Sequence, residues 1–480
     1  MELTLAATIG VAAIVFEWVL RVLAVIYIPR NRRPQTALAW LLAIFLLPYV
    51  GIALYLLAGN WLLPKKRRDK QVTINTLIKR TADSVDDDIT ELDLPDWLGP
   101  VTTLNRTLGA MPMVGGNSAT VYKSDAEGLA AMAAAIDTAT VAVHAEFYIM
   151  SLDDTSQPFF DALLRAHQRG VTVRVLFDHL GSRRYKGYKK MKRMLQQSGI
   201  DWHFMLPFFP LVGKLQRPDL RNHRKLLVID GTSAFTGSRN IIARSYQKRH
   251  KLRWHDFMVR FEGPVVAEIE AVFVSDWYAE TDEILDEFDL GEITIEGDLA
   301  CQVVPSGPGF EGENNLRLFN SLVYSARKRI VLTSPYFVPD DSMLYAITTA
   351  AQSGIEVELF VSEIGDQFLV YHAQRSYYEA LLRAGVRIWL YEKPTVLHAK
   401  HFTIDDQLSV FGSSNMDMRS FTLDLEITVM VLGASFHREL TATQEEYRAH
   451  SRELTLEEWN QRGFFTRALD NVARLTAAVQ

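Results

Sequence analysis

His223 and Lys225 stand two residues apart, Asp230 follows after four more, and Gly237, Ser238 and Asn240 close the stretch. The same order returns at His398, Lys400, Asp405, Gly412, Ser413 and Asn415, each 175 positions later (398 against 223, 415 against 240). A phosphodiester resists attack because its oxygens are anionic, so a catalyst must neutralise charge, supply a nucleophile and protonate the leaving alkoxide. Lys225, Lys400, Asn240 and Asn415, with Ser238 and Ser413, can surround such a phosphate with donors. One neutral imidazole can then attack phosphorus while the other, protonated, serves the leaving oxygen. The set meets these needs without a metal, and the repeat is symmetric about which histidine does which. A lone histidine on a strand is most often a packed core residue; recurrence of the whole pattern at one offset argues against that here.

Each histidine also needs its second nitrogen held, as a carboxylate holds it in hydrolytic triads. Candidates stand one strand beyond each motif: Asp256, within Trp254-His255-Asp256-Phe257, and Glu426, within Asp424-Leu425-Glu426-Ile427. An ordinary surface carboxylate is the competing reading of both. Nothing reads as a metal site: strand alternation separates the faces of His398 and His401, and no carboxylate pair completes a ligand set. No Walker loop is present, and no cofactor is expected.

The elements that must position these groups are strands. Side chains two apart share a face, so His223 projects with Lys225 and His398 with Lys400, while Leu226 and Val228 face the other way. The Gly-Ser-x-Asn segment that follows is a tight turn. Around the motifs, helical and β-branched segments alternate as in an α/β domain. Val141 to Ile149, a helix near Phe159 to His167 and the strand after Gly170 in the first half match Arg329 to Val338, a helix and the strand after Gly354 in the second. The expected organisation is two lobes of one fold, 113–290 and 291–480, meeting near Leu290.

Before them come two apolar segments within 1–64, about 3–28 and 36–63, each long enough for a hydrocarbon core needing about 20 residues. Glu17 and Arg21 lie one turn apart and can pair, and Pro48 interrupts the second segment, so it is kinked or re-entrant rather than straight. Residues 65–112 read as a linker with a short helical stretch and an acidic run from Asp83 to Asp96. The larger basic cluster, Lys65 to Lys70, places the bulk of the protein in the cytoplasm by the positive-inside rule. A net charge of −6 argues against a general nucleic-acid binder, and a single cysteine, Cys301, excludes an internal disulfide framework. Three stretches could face lipid: the apolar loop Phe204 to Val212, the basic run Arg183 to Arg193, and a C-terminal segment with Phe465, Leu469, Val472 and Val479 at helical spacing. Core burial, a nucleic-acid face and packing on the second lobe are their respective alternatives.

The His-x-Lys-x4-Asp-x6-Gly-Ser-x-Asn pattern, complete in both copies, resembles the mark of the phospholipase D superfamily. Arg32 to Pro34, Leu47-Pro48-Tyr49, Arg221 to Lys225, Pro305 to Pro308, Ser334 to Phe337 and Asn415 to Ser420 are similar to the bacterial cardiolipin synthase branch. The resemblance implies two pseudo-symmetric phospholipase D-like lobes after two membrane helices in the bacterial inner membrane. It also implies His223 as nucleophile, His398 as general acid, and a phosphohistidine from which a phosphatidyl group passes between two phosphatidylglycerols to give cardiolipin and glycerol. It supports Asp256 and Glu426 as orienting groups and gives Asp230 and Asp405 a bracing role. Hydrolysis by water, or a membrane-tethered nuclease, are the alternatives in the same superfamily; the partners expected are the two lipids and the membrane, with no nucleic acid, and a homodimer is left open.

Overall fold

The computed structural model describes residues 2–30, 34–59, 63, 65–85, 92, 94–209, 214–215, 217–246, 252–285, 297–310 and 312–476. It divides into two compact units, 1–62 with 217–219, and the remainder. In the first unit the opening apolar stretch is one helix, Glu2–Tyr27, which among the described residues is the one helix long and apolar enough to cross a membrane. Arg21 pairs with Glu17 at 3.3 Å, so the two charges within its apolar stretch Gly10–Tyr27 offset each other. The next stretch is broken into helices Pro34–Leu46 and Pro48–Ala58, with Pro48 at the start of the second. A proline there lacks only an N–H that a helix start leaves unused, while it forbids continuation from the preceding turn. Gly51 sits against the backbone of Ala43, where an added Cβ would lie 2.7 Å from the Ala43 carbonyl oxygen. Ala24, Ile28, Ala37 and Ile44 form the small core of this unit.

The second unit opens with helix Lys65–Val85, pinned by Arg67 on Glu280 at 2.6 Å and by Lys70 on the carbonyls of Tyr278 and Ala279. Helix Gly99–Gly109 follows, with Leu98 and Val101 inside a core built mainly of residues beyond Val304, so this part of segment 65–112 is packed rather than solvated. Most of the acidic run, Asp86 to Asp93 apart from Leu92, lies outside the described residues, as does Leu290.

The first lobe contributes strands β1 (Val114–Tyr122), β2 (Ala142–Phe147), β3 (Thr172–Asp178), β4 (Asp201–Met205), β5 (Lys225–Ile229), β6 (Ser233–Gly237) and β7 (Met258–Glu262). The second contributes β8 (Leu299–Ser306), β9 (Arg329–Thr333), β10 (Glu356–Ser362), β11 (Arg387–Tyr391), β12 (His401–Ile404), β13 (Leu408–Gly412), β14 (Asp424–Leu432) and an extra edge strand β15 (Ser451–Leu454). Sheet order in the first lobe is β1-β7-β6-β5-β2-β3-β4, and in the second β8-β14-β13-β12-β9-β10-β11, with β15 beyond β11. The halves are joined where β1 runs antiparallel to β8, making one continuous sheet with a pseudo-twofold between these strands. Parallel pairs β2-β3-β4 and β9-β10-β11 need crossover helices, and Gln157–Gln168, Tyr188–Ser198, Asp341–Gln352 and Tyr378–Ala384 supply them. Phe257, Phe261, Phe411, Ile427 and Val429 lie in one core spanning both lobes, with Phe261 stacked on Phe411.

Two short crossings matter most for the site. Arg221–Asn222, just ahead of the first motif, pairs in parallel with Asp424–Leu425 of the second lobe. Thr395–Leu397, just ahead of the second motif, pairs in parallel with Arg253–His255 of the first. Each lobe therefore hands the approach to its own histidine across to the other.

Candidate active site

The crossings bring each motif histidine against a carboxylate of the opposite lobe. The His223 amide donates to the Leu425 carbonyl at 2.8 Å, one residue before Glu426; the His398 amide donates to the His255 carbonyl at 2.8 Å, one residue before Asp256. The rings follow the backbone. His223 Nδ1 lies 3.0 and 3.1 Å from the two Glu426 oxygens and 3.1 Å from the Ser413 carbonyl. His398 Nδ1 lies 2.6 Å from Asp256 Oδ1. With Nδ1 engaged on both rings, Nε2 is the nitrogen left for chemistry.

The serines stand one step behind. Ser238 Oγ donates to Asp256 Oδ1 at 2.8 Å, and Ser413 Oγ donates to Glu426 Oε2 at 2.5 Å. Each hydroxyl is thus committed to the carboxylate that holds the other motif's histidine. Ser420 Oγ adds a third donor to Glu426 at 2.7 Å. Gly237 and Gly412 allow these turns to lie on the neighbouring strand, where an added Cβ would come within 2.3 Å of the Phe257 carbonyl and 2.2 Å of the Ile427 carbonyl.

Lys225 and Lys400 each donate one N–H to the carbonyl of their own histidine, the second at 2.7 Å, which leaves two donors on each ammonium. Asn240 Oδ1 accepts from the Ile149 amide at 3.0 Å, so its NH2 is turned elsewhere. The Asn415 side chain makes no hydrogen bond among the described residues, and its buried Oδ1 has no partner.

Asp230 and Asp405 lie away from this cluster. Both occupy left-handed turns at φ 52°. Asp230 accepts from the amides of Thr140, Val141 and Ala142 at 2.8 to 2.9 Å, and Asp405 from those of Arg327, Lys328 and Arg329. These carboxylates tie each motif hairpin to the start of the neighbouring strand, β2 or β9.

Electrostatically the cleft is short of negative charge. His223, Lys225, His398 and Lys400 are all nearly or wholly buried. Burial and then Lys225 hold the Lys400 ammonium down at about 7, and burial brings Lys225 to about 8. Burial, Lys225 and Lys400 push His223 well below its ordinary value; burial and Lys400 bring His398 to about 4, against the pull of Asp256. Burial alone would raise Asp256, yet His398, Lys400 and Arg239 outweigh it and hold the carboxyl below the usual range. Burial pushes Glu426 up to about 7 in spite of Lys225 and its two serine donors. Four groups that would each be stabilised by an anion are thus buried close enough to disfavour one another's protonation.

Several residues around this space were given no role from the sequence. Asp178 accepts from Arg221 at 3.0 Å and from the Asn222 amide at 3.0 Å, while Asn222 Nδ2 donates to Glu146 at 2.6 Å and Arg224 pairs with Asp276. This buried layer fixes the first crossing. Tyr148 stands edge-on to His223 at 4.9 Å between ring centroids, and Tyr336 edge-on to His398 at 6.5 Å. Tyr336 and Ser420 do lie inside short runs quoted above, Ser334 to Phe337 and Asn415 to Ser420; Glu146, Asp178 and Asp276 are spread through unremarkable strand and helix sequence.

Of the stretches read as lipid-facing, Met205 and Leu206 are core residues and Phe204 is half-buried, while Pro210 to Val212 lie outside the described residues. The basic run forms helix Tyr188–Ser198 and its approach, with Tyr188, Met191 and Leu195 inside and Arg183, Arg184, Lys186, Lys189, Lys190 and Arg193 exposed.

Comparison with known proteins places this arrangement in a family. The model described as "Cardiolipin synthase, PLD-like domain" matches residues 132–277 and 320–447, and that described as "Phospholipase_D-nuclease N-terminal" matches 19–60. The chain is 34% identical to cardiolipin synthase A of Proteus mirabilis (strain HI4320) over 95% of its length and 96% of that protein's. It is 32% identical to cardiolipin synthase A of Wigglesworthia glossinidia brevipalpis, over 95% and 93% respectively. In fold it is similar to the crystal structure of phosphatidylserine synthase from Haemophilus influenzae Rd KW20, with a TM-score of 0.62, 16% identity, and coverage of 81% of this chain and all of that one.

Proposed function

The chain belongs to the cardiolipin synthase family of phospholipase D-like proteins, a family of membrane-associated phosphatidyltransferases, and from that membership we propose how its site works. It joins two phosphatidylglycerols into cardiolipin and glycerol. His223 Nε2 attacks the phosphorus of the first lipid; the N–P bond forms as the P–O bond to glycerol breaks, and His398 Nε2 gives its proton to the departing glycerol oxygen. The hydroxyl of a second phosphatidylglycerol then returns a proton to His398 while its oxygen attacks phosphorus and the N–P bond breaks. One phosphodiester replaces another, so the exchange is reversible and draws on no nucleotide.

The observation that carries this reading is the crossed pairing of each histidine with a carboxylate of the other lobe. It supports a single space served by two imidazoles oriented through Nδ1 and two ammonium groups, to which this reading adds the two asparagine amides. The differing carboxylates also support the roles that the repeat leaves symmetric. Asp256, ionised, favours a proton on His398; Glu426, itself pushed towards neutrality, leaves His223 uncharged and nucleophilic. An arriving phosphodiester adds the missing negative charge, which raises every cation's affinity for its proton and so loads His398. Lys225, Lys400, Asn240 and Asn415 bind the phosphate, while Ser238 and Ser413 act one step removed, on the carboxylates. Asp230 and Asp405 brace the hairpins.

Domain limits follow the same reading: membrane segments to 64, a connecting region to 112, and lobes dividing near 290. The larger basic cluster supports a cytoplasmic site on the inner membrane. Mass analysis of lipid products from the purified protein in vesicles of defined phosphatidylglycerol tests the proposal. Cardiolipin and glycerol in equal amounts are expected; phosphatidic acid with no cardiolipin would make the protein a hydrolase and overturn it.

A further inference from the structure

The helix Phe464–Arg474 turns the wrong way for a soluble surface. Phe465 is 86% exposed and Phe464 72%, with Leu469, Val472 and Leu475 also exposed. Helix Phe368–Arg375 packs beside it and adds exposed Phe368 and Leu369 to the same neighbourhood. The opposite side explains why the apolar side chains cannot roll inward. Asp470, only 1% exposed, accepts from His372 Nδ1 at 2.7 Å, Arg375 Nε at 3.3 Å and Arg462 Nη1 at 2.5 Å. Three donors on one buried carboxylate lock the rotation of the helix, and Ala473 is buried on that same side.

Arg467 and Arg474 are exposed at the margin of this apolar surface. Apolar side chains flanked by guanidinium groups match the boundary of a bilayer rich in anionic head groups, where aromatic rings sink to acyl depth and cations stay among phosphates. The surface is also wired to the reaction space. Just ahead of helix Phe368–Arg375, Asp366 accepts from the Tyr336 hydroxyl at 2.9 Å; within it, Gln374 accepts from the Phe337 amide at 2.9 Å. Tyr336 is the ring that stands against His398.

We propose that helices Phe368–Arg375 and Phe464–Arg474 form a second membrane contact, whose exposed apolar residues dip into an anionic lipid surface and seat the cleft beside it. The inference rests on the lipid-substrate reading above. It supplies that reading with a means of delivery: a nearly closed site is presented to the layer from which its substrates come.

Cys301, the one native cysteine, is buried, so a nitroxide attached to Phe465→Cys reports on that position alone. In proteoliposomes of the full chain with phosphatidylglycerol, the label is expected to be more accessible to oxygen than to a water-soluble nickel chelate. Preference for the chelate overturns the proposal; dipolar broadening between labels without oxygen preference overturns it in favour of self-association. In the second arm, Phe464→Ser/Phe465→Ser is expected to lower transfer in vesicles at least roughly tenfold relative to transfer between short-chain, monomerically dissolved phosphatidylglycerols. An unchanged ratio overturns it as well. Absence of transfer by the unmodified protein in both media would instead count against the function proposed above, whatever the label reports.

Discussion

Asp256 and Glu426 perform one task at different charge, and the difference is testable side by side. Asp256 is held ionised by His398 and Lys400 against its burial, whereas burial pushes Glu426 up to about 7. Replacing a carboxylate that is already close to neutral by its amide removes little charge. Glu426→Gln is therefore expected to retain more activity than Asp256→Asn, which should fall roughly 10²- to 10⁴-fold because it costs the general acid its counter-charge. Steady-state transfer rates check the order, and the reverse ranking would exchange the roles of the two histidines. A pH profile follows from the lysines. Both folded values lie below the ordinary 10.5, at about 8 for Lys225 and about 7 for Lys400, so rising pH strips the ammonium groups that attract the diester. In neutral detergent micelles, kcat/KM at low phosphatidylglycerol is expected to fall from pH 7 to pH 9; a level profile over that window would mean that the lysines keep their protons.

At the scale of elements, the two short parallel crossings decide whether a site exists. Asp178, at the end of β3, receives both the Arg221 guanidinium and the Asn222 amide and so holds the first crossing in place. Asp178→Ala strips the carboxylate from a buried guanidinium and is expected to cost about 3–5 kcal/mol, read as a lowered denaturant midpoint of the detergent-solubilised protein. A change below about 1 kcal/mol would show that the β-pairing alone carries the crossing. The hairpins themselves were legible in the chain: alternation put His223 with Lys225, and the doubled spacing announced two similar lobes. Asp256 and Glu426 could be named as candidates because they follow each motif by one strand. What the spacing could not tell is that each serves the other lobe's histidine, since that depends on pairing between strands 203 and 142 residues apart (222 with 425, 255 with 397). The serines illustrate the same gap. Their place in a tight turn suggested phosphate contact, but only the three-dimensional arrangement turns their hydroxyls onto carboxylates. The broken second apolar stretch was signalled by Pro48, because proline acts locally; the clamp on Asp470 was not, because two of its three donors, His372 and Arg375, come from a helix 98 and 95 residues earlier.

The larger unit is built on one continuous sheet with a pseudo-twofold at the β1–β8 junction, and the two motif histidines follow the crossings between halves that share a core. Both histidines of a site come from the same chain. His223→Ala and His398→Ala are each expected to lower transfer at least roughly 10³-fold, and mixing the two purified variants should restore nothing. Recovery on mixing would mean that copies exchange lobes. The crossed carboxylates carry a further consequence for fragments of the chain. Because Glu426 stands against His223 and Asp256 against His398, a fragment carrying one motif keeps an imidazole but loses the carboxylate that pairs with it. Severing the chain between the halves would therefore disarm both imidazoles at once, and only reassociation of the two pieces would return each counter-charge to its ring.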